Sequence, residues 1–214
     1  MSTSSSSKES ILKKIRQALS DSVPLPFPKS EGNNSVYLPS LEDLEIEFAE
    51  EFTKLQGKFA FCLNEQDLNN QLTGLIKAKN WKHIYCVEKA LLPTVSIASG
   101  NLLNQSNLAD CDASVTSCEY LVARTGSIVM SSFQPSGRTV SVYAPIHICI
   151  AYTDQLVYDI REVLLLFKEK YQDNIPSMLT FATGPSRTAD IEKTLVVGVH
   201  GPKEVYLFLV DRSK

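Results

Sequence analysis

The sequence predicts an α/β protein in which a mostly parallel sheet is flanked by helices and interrupted by a β-rich mixed insert. Short apolar runs of strand length alternate with segments whose apolar residues recur every three or four positions, the spacing of a helix face. The middle of the chain breaks this alternation with β-rich runs that are separated by Pro- and Gly-containing turns. Alternating strands and helices around such an insert favour a sheet that is covered on both faces.

Composition is that of an ordinary globular domain. The chain has 214 residues, of which 43% are hydrophobic and 21% are charged, and its formal net charge is −3. The negative charge argues against nucleic acid as a general partner. No apolar run approaches the roughly 20 residues that span a bilayer, and the first ten residues lack the apolar segment of a secretory signal. We therefore expect a cytoplasmic protein without a membrane span.

The cysteines do not indicate a metal or disulfide site. Their spacing includes no C-x-x-C pair, which argues against a disulfide framework, a zinc site or an iron–sulfur cluster carried by this chain. Cys62, Cys86 and Cys149 lie in apolar strand patterns and are predicted to be small core residues. The identity of any cofactor therefore stays open.

Residues 1–40 are predicted to be a flexible N-terminal arm, and residues 41–214 the α/β domain. The arm contains a short amphipathic helix over 10–19, followed by an extended Pro-rich linker. In the first half of the domain, apolar spacing predicts helices over 41–55 and 66–78 and strands over 58–63, 83–87 and 113–116. The stretch 91–105 is expected to be a short helix or irregular, and 118–122 a helical turn.

The second half of the domain begins with the insert. Short strands in an antiparallel or mixed arrangement are predicted over 126–132, 139–143 and 147–152, and a long helix over 154–171. The stretch 178–211 is predicted to be a strand–helix–strand unit. Its strands span 178–182 and 205–210, and its helix runs through Ile191, Leu195 and Val199 until Gly201-Pro202 ends it.

The turn before that helix is the first candidate site. It contains Gly184, Ser186, Arg187 and Thr188. A hydroxyl of Ser186 or Thr188 would cap the helix, and free N–H groups at a helix start bind anions. Arg187 adds a fork of donors that suits phosphate or carboxylate. In the alternative interpretation, the hydroxyls only cap the helix and Arg187 faces water.

Two further turns combine glycine, arginine and threonine. They contain Arg124-Thr125-Gly126 and Gly137-Arg138-Thr139. Glycine lets backbone approach a ligand closely, and open α/β sheets bind ligands outside the carboxyl ends of their strands. The three turns are therefore candidates to converge on one small anionic or phosphate-bearing ligand, with three unrelated turns as the alternative.

His147 is the candidate catalytic residue, because imidazole transfers protons near neutral pH and His147 begins a β-rich run. His200 lies at the far end of the predicted helix from Ser186, so the two are not expected to share a site. Either histidine could instead be purely structural. The sequence contains no Walker loop, no G-x-G-x-x-G and no metal-ligand spacing.

The segment from Thr183 to Glu192, followed by Gly198-Val199-His200-Gly201-Pro202, resembles the hallmark of the lactate-utilization (LUD) domain family, the group of lactate utilization protein C. Thr125-Gly126-Ser127 and the stretch from Gly137 to His147 resemble the family's other motifs. The resemblance implies a fold similar to the NagB/RpiA/CoA-transferase-like group. It also implies a role in oxidising L-lactate to pyruvate, together with partner proteins that hold iron–sulfur clusters.

One position departs from the family pattern. Arg124 stands where the family usually has an acid, and Ser127 replaces the last Thr of Thr-Gly-Thr. Three functions stay open: a lactate-oxidation subunit that binds a small anion, a stand-alone enzyme of the phosphosugar-isomerase or CoA-transferase kind, and a non-catalytic scaffold subunit. A homo-oligomer is also compatible with the sequence.

Overall fold

The computed structural model describes residues 4–20, 43–189, 195–198 and 200–212. Contacts between residues divide the chain into two units, Met1–Leu38 and Pro39–Lys214. The first unit contains helix α1, Ser4–Ser20, which is longer than the helix predicted over 10–19. The Pro-rich linker lies outside the described residues, and the predicted division at residue 40 stays a prediction.

The described part of the second unit contains five α-helices and twelve strands. The helices are α2 (Leu44–Lys54), α3 (Glu65–Lys79), α4 (Leu92–Ser99), α5 (Val140–Tyr143) and α6 (Ile160–Tyr171). The strands are β1 (Lys58–Cys62), β2 (Ile84–Tyr85), β3 (Leu103–Asn104), β4 (Ala113–Thr116), β5 (Tyr120–Val122), β6 (Ser127–Ser131), β7 (Ile146–Tyr152), β8 (Leu156–Val157), β9 (Leu179–Ala182), β10 (Arg187–Ala189), β11 (Leu195–Val197) and β12 (Glu204–Val210).

The central sheet has six strands, all parallel, in the order β1-β12-β7-β4-β2-β3. A second sheet has the order β8-β5-β6-β9 and is mixed, because β5 runs parallel to β8 and antiparallel to β6. The predicted fold class, a mostly parallel sheet flanked by helices with a mixed insert, is therefore confirmed. Within the described ranges, no helix combines the length and apolar character that crossing a bilayer requires.

Side-chain alternation along the central strands builds a core on each face of the sheet. On β12, Tyr206 and Phe208 pack on one face with side chains of α3 and α4, whereas Leu207 and Leu209 pack on the other with α2 and the mixed sheet. Helix α6 covers the outer face of the mixed sheet, where Phe167 is buried. The β12 strand is buried on both sides, as strands of a parallel sheet are expected to be.

Three predicted elements in the middle of the chain differ from the structure. The stretch 139–143 forms α5, a single helical turn, because β4 and β7 pair directly with each other and leave no position for a strand between them. The stretch 118–122 contains β5, whose backbone pairs with β6 and β8. The stretch 147–152 is a strand as predicted, but it lies at the centre of the parallel sheet.

The predicted long helix over 154–171 begins later than expected. Its first residues include β8, and α6 begins after Asp159, whose carboxylate accepts a hydrogen bond from the Arg161 N–H at 2.7 Å. A carboxylate at this position satisfies a backbone donor that has no partner inside the helix. The capping residue therefore sets where the helix starts.

The predicted strand–helix–strand unit is wrong. Residues 187–189 and 195–197 form an antiparallel hairpin, β10–β11, in which Thr188 pairs with Val196. Strands β9 and β12 belong to different sheets. The β-branched residues of these short segments favour a strand, and the helix-like spacing that suggested otherwise depended on Ile191 and Val199, which lie outside the described residues.

A charged cluster at the amino end of β12 generates a prediction about acid stability. Burial opposes ionisation of Glu204, but hydrogen bonds from Lys58, Tyr206 and Lys79 lower its pKa to about 2, from an ordinary value of 4.5. Tyr206 Oη lies 2.6 Å and Lys79 Nζ 3.0 Å from Glu204 Oε2. A carboxyl group with a lowered pKa contributes stability above its ordinary pKa and loses it as the pH falls towards the lowered value.

We expect Glu204→Gln to lower the melting temperature at pH 7 and to match the unmodified chain near pH 2. The difference should correspond to about 1 kcal/mol or less, since the cluster is partly exposed to solvent. Thermal unfolding followed by circular dichroism from pH 7 to pH 2 measures this. A difference that stays constant between pH 4.5 and pH 2 would contradict the assigned role of Glu204.

Candidate functional site

A cavity of about 250 Å³ lies beside the amino ends of β7 and β12. We call it the two-histidine cavity. Its walls come from β6, β9, α5 and the turns before and after the β10–β11 hairpin. The lining residues are Met130, Ser141, Val142, His147, Ala182, Thr183, Gly184, Pro185, Ser186, His200, Gly201, Pro202 and Val205.

Two turns close this cavity because their backbones bond to each other. The Ser186 N–H donates to the Pro202 carbonyl, and the Gly198 N–H donates to the Ser186 carbonyl, both at 3.0 Å. A Cβ on Gly201 would lie 2.8 Å from the Ser186 Cβ, so only glycine fits there without movement. Ser186 and His200 therefore share one cavity, and the expectation that they would lie apart is wrong, because it rested on a helix that does not form.

His147 is the most buried polar residue of the cavity wall, with 1% of its surface exposed. It lies between Val205 of β12 and Ser114 of β4 in the sheet register. Its Nε2 is 2.8 Å from Thr116 Oγ1, and Nδ1 has no hydrogen-bond partner among the described residues. Burial lowers the pKa of His147 to about 4, because the interior disfavours the charged ring. The imidazole is therefore neutral at pH 7.

The rest of the cavity offers hydroxyl groups and a second imidazole. His200 is exposed at the cavity, and Ser141, Thr183 and Ser186 supply hydroxyls. The described lining residues include no aspartate, glutamate, lysine or arginine. Such a lining can hold a small polar molecule by hydrogen bonds. It contains no carboxylate that would repel an anion.

A chain of hydroxyl groups supports one cavity wall from behind. Thr183 Oγ1 lies 2.8 Å from Ser127 Oγ, which in turn lies 2.7 Å from Thr125 Oγ1. Gly126 has a positive φ of 58°, and a Cβ there would lie 2.4 Å from the backbone nitrogen of Phe52 in α2. The predicted site residues Thr125 and Gly126 thus lie behind the wall, and their role as direct ligand contacts stays a prediction.

The three arginines of the predicted anion site have three different partners. Arg124 Nε donates to Asp159 at 2.6 Å, Arg138 donates to the Ser177 hydroxyl, and Arg187 donates to the Leu55 carbonyl. None of them is among the described residues that line the cavity.

The anion site at Ser186 was predicted because a helix was expected to begin there. That expectation is wrong, because the turn leads into strand β10. Gly137 has a positive φ of 62° in the turn beside Arg138 and does not line the cavity either. The side chain of Thr188 lies outside the described part of the structure. Ligand binding by Gly137, Arg138, Arg187 and Thr188 therefore stays a prediction.

Sequence reasoning missed Thr116, Ser141 and the cavity role of His200. Thr116 is separated from His147 by thirty-one positions and meets it only because β4 and β7 are adjacent. The sequence could have indicated that His200 lies at a site, since Gly198 and Gly201 flank it in a turn. Glycines on both sides of a polar residue indicate close backbone approach.

The cysteines are buried and reduced. Burial raises the pKa of Cys62 to about 12 and the pKa values of Cys86 and Cys111 to about 11. Each of these thiols is therefore protonated at neutral pH, which suits the predicted core role of Cys62 and Cys86. In the described ranges, no group of three or more histidine, cysteine, aspartate or glutamate side chains could hold a metal ion.

Comparison with known proteins places these residues in a family context. The sequence model of the LUD domain matches residues 87–210, more than half of the chain. Lactate utilization protein C of Bacillus licheniformis is 40% identical over 101 residues, which cover 46% of this chain and 42% of that protein. Lactate utilization protein C of Deinococcus radiodurans is 33% identical over 109 residues, which cover 50% of each. The chain spans about half the length of the curated relatives it matches.

The fold also has a solved counterpart. A crystal structure of a DUF162 family protein from Deinococcus radiodurans aligns with a TM-score of 0.59 and 19% sequence identity. The alignment covers 81% of this chain and 99% of that chain. At this identity the likeness supports the fold alone.

We expect Gly126→Ala to lower the free energy of unfolding by more than about 1 kcal/mol, because alanine disfavours the positive φ and its Cβ would meet the backbone of α2. Chemical denaturation measures this. Gly74→Ala is the matched control: Gly74 lies inside α3 with nothing within 4 Å of a Cβ, so stability should rise by about 0.5–1 kcal/mol. Equal effects of the two substitutions would contradict the packing role of Gly126.

Proposed function

Because the chain belongs to the LUD domain family, as its motifs predicted, we propose that it is a subunit in the oxidation of L-lactate to pyruvate and that the two-histidine cavity holds the acid. One observation carries the proposal. His147, His200 and the hydroxyl of Ser186 share a small cavity in which the described lining residues include no carboxylate.

The size of the cavity favours a small acid over larger ligands. Its volume of about 250 Å³ lies below the roughly 300–1,000 Å³ of clefts that take drug-sized molecules. A three-carbon hydroxy acid suits this space better than a phosphosugar or a CoA ester. The proposal therefore favours lactate oxidation over the stand-alone isomerase or CoA-transferase alternatives.

The contacts of His147 suggest how it would hold the hydroxyl group of the acid. In the proposed tautomer, Nε2–H donates to Thr116 Oγ1 and Nδ1 is left as an acceptor that faces the ligand. A ring with a pKa of about 4 is a weak base, so in the empty cavity His147 orients a hydroxyl group more readily than it removes a proton. A bound carboxylate would raise that pKa, and the predicted catalytic role of His147 depends on this increase.

Oxidation of a hydroxy acid to a keto acid releases two electrons and two protons. We propose that iron–sulfur partner proteins accept the electrons, as the family resemblance implies. His200 is exposed and would pass a proton between the cavity and solvent. Within the chain, the neutral His147, the hydroxyl groups and the backbone of the 183–186 turn would position the acid.

Binding of L-lactate should change the NMR signals of two of the three histidine rings. We expect the His147 and His200 ring signals to shift as lactate is added, and the pKa of His147 to rise above its value of about 4. His83 is the internal control, since it is exposed and does not line the cavity. Propionate, which lacks the hydroxyl group, should shift His147 less. Three unchanged ring signals at saturating lactate would overturn the assignment of the cavity.

The hydrogen bond to Thr116 can be tested by activity in the complex purified with its partners. Thr116→Val removes the hydroxyl group and should reduce lactate oxidation about fivefold to tenfold, the equivalent of one hydrogen bond. Thr116→Ser should restore the activity, and His83→Asn should leave it unchanged. Full activity in both Thr116→Val and His147→Asn, with the complex intact, would favour a scaffold function for this subunit.

A further inference from the structure

Strand β1 is an edge of the central sheet, and its outer side has no strand partner in the described ranges. The Cys62 carbonyl accepts a hydrogen bond from Asp211 N–H on the β12 side, whereas the Phe61 carbonyl accepts one from Gln71 Nε2, each at 2.9 Å. In a parallel pair of strands, the N–H and carbonyl of one residue both point to the same neighbouring strand, and those of the next residue point to the opposite side. The backbone groups of Phe59 and Phe61 therefore face outward.

Most of this outward edge has no bond to a described residue. No hydrogen bond is made by the Phe59 N–H, the Phe59 carbonyl or the Phe61 N–H within the described part of the chain. The next outward donor, Leu63 N–H, is already bonded to the Asp67 carboxylate. The unbonded groups of Phe59 and Phe61 can therefore pair with an added strand, and this pairing would stop at Leu63.

The side chains along β1 also leave space on both faces of the strand. A groove of about 610 Å³ lies between β1 and α2, where Ile46, Phe59 and Phe61 supply apolar surface. A hollow of about 220 Å³ lies on the opposite face, beside Ala60 and Leu75. Phe61 is 40% exposed and Leu63 is 69% exposed. A strand added beside β1 would have room for its side chains on both faces of the sheet.

Charge is distributed unequally along this edge. At the amino end of β1, Lys58 and Lys79 surround the single carboxylate of Glu204, so this end is positive. Towards the other end, the groove beside α2 is lined by Asp43, Glu45 and Asp211. An edge that is positive at one end and negative at the other complements a second copy of itself in the antiparallel direction, because each end then meets its opposite.

We propose that β1 pairs with β1 of a second copy of this chain, antiparallel across a twofold axis, with Ala60 facing Ala60 of the second copy. In this register Phe59 faces Phe61 of the second copy, and the Phe61 N–H of each strand donates to the Phe59 carbonyl of the other, which gives two hydrogen bonds across the axis. Alanine is small enough to sit at the closest approach of the strands. The pairing is independent of the ligand in the two-histidine cavity.

Sedimentation velocity of the full chain over a range of concentrations tests this pairing. We expect a dimer, and Phe61→Lys should shift it to monomer, because a charge on an edge strand opposes strand addition. Ile97→Lys is the matched control: Ile97 is 71% exposed on α4, away from β1, and its substitution should leave the dimer intact. A chain that is monomeric at all concentrations, or a dimer that Phe61→Lys leaves unchanged, would overturn the proposal.

A cross-link tests the register and does not depend on the behaviour of Phe61→Lys. Residues that face each other without a mutual hydrogen bond in an antiparallel pair have Cα atoms about 4.5 Å apart, which lies within the range of a disulfide. Ala60→Cys should therefore give a disulfide-linked dimer when oxidised with oxidised glutathione. Ile97→Cys and the unmodified chain, whose cysteines are all buried, should not. No linked dimer from Ala60→Cys would exclude this register.

Discussion

The pairing of β7 with β12 is the constraint on which the rest of the structure depends. The two strands are the longest of the central sheet and stay in register from Ile146 with Glu204 to Tyr152 with Val210. Their alternate side chains supply both cores, so this one ladder fixes α3 and α4 on one face and α2 with the mixed sheet on the other. The same register sets His147 beside Val205, which gives the cavity its buried imidazole.

The hairpin that replaces the expected helix changes the physical basis of the proposed ligand binding. A helix start at Ser186 would attract anions through its dipole, but the Ser186 N–H is bonded to the Pro202 carbonyl instead. The Ser186 N–H is therefore not available to an anion, and the turn contributes its shape and the hydroxyl groups of Thr183 and Ser186 to the cavity. In the proposed function, the groups that would bind an acid are the uncharged His147 ring and the hydroxyl groups of the cavity wall, which favours a small ligand that offers its own hydroxyl group.

The sequence was sufficient where local periodicity decides the structure. The strand over 113–116 and helix α3 follow their apolar spacing, and α3 ends where Asn80 adopts a left-handed conformation. Local spacing failed over 187–197, where two three-residue strands are too short to show a period. The partners of Arg138 and Arg187 could not be predicted, because Ser177 and the Leu55 carbonyl reach them only through the tertiary fold.

The end of α2 links features that are distant in sequence. Gly126 packs against the backbone of Phe52, and a Cβ on Gly184 would lie 2.4 Å from the Leu55 carbonyl, which also accepts a hydrogen bond from Arg187. Both glycine turns, one behind the cavity wall and one within it, therefore close against the same helix end. The opposite side of α2 lines the groove beside β1 through Ile46. The two contacts lie on one uninterrupted helix of 11 residues, so α2 is the element that joins the cavity wall to the groove beside β1.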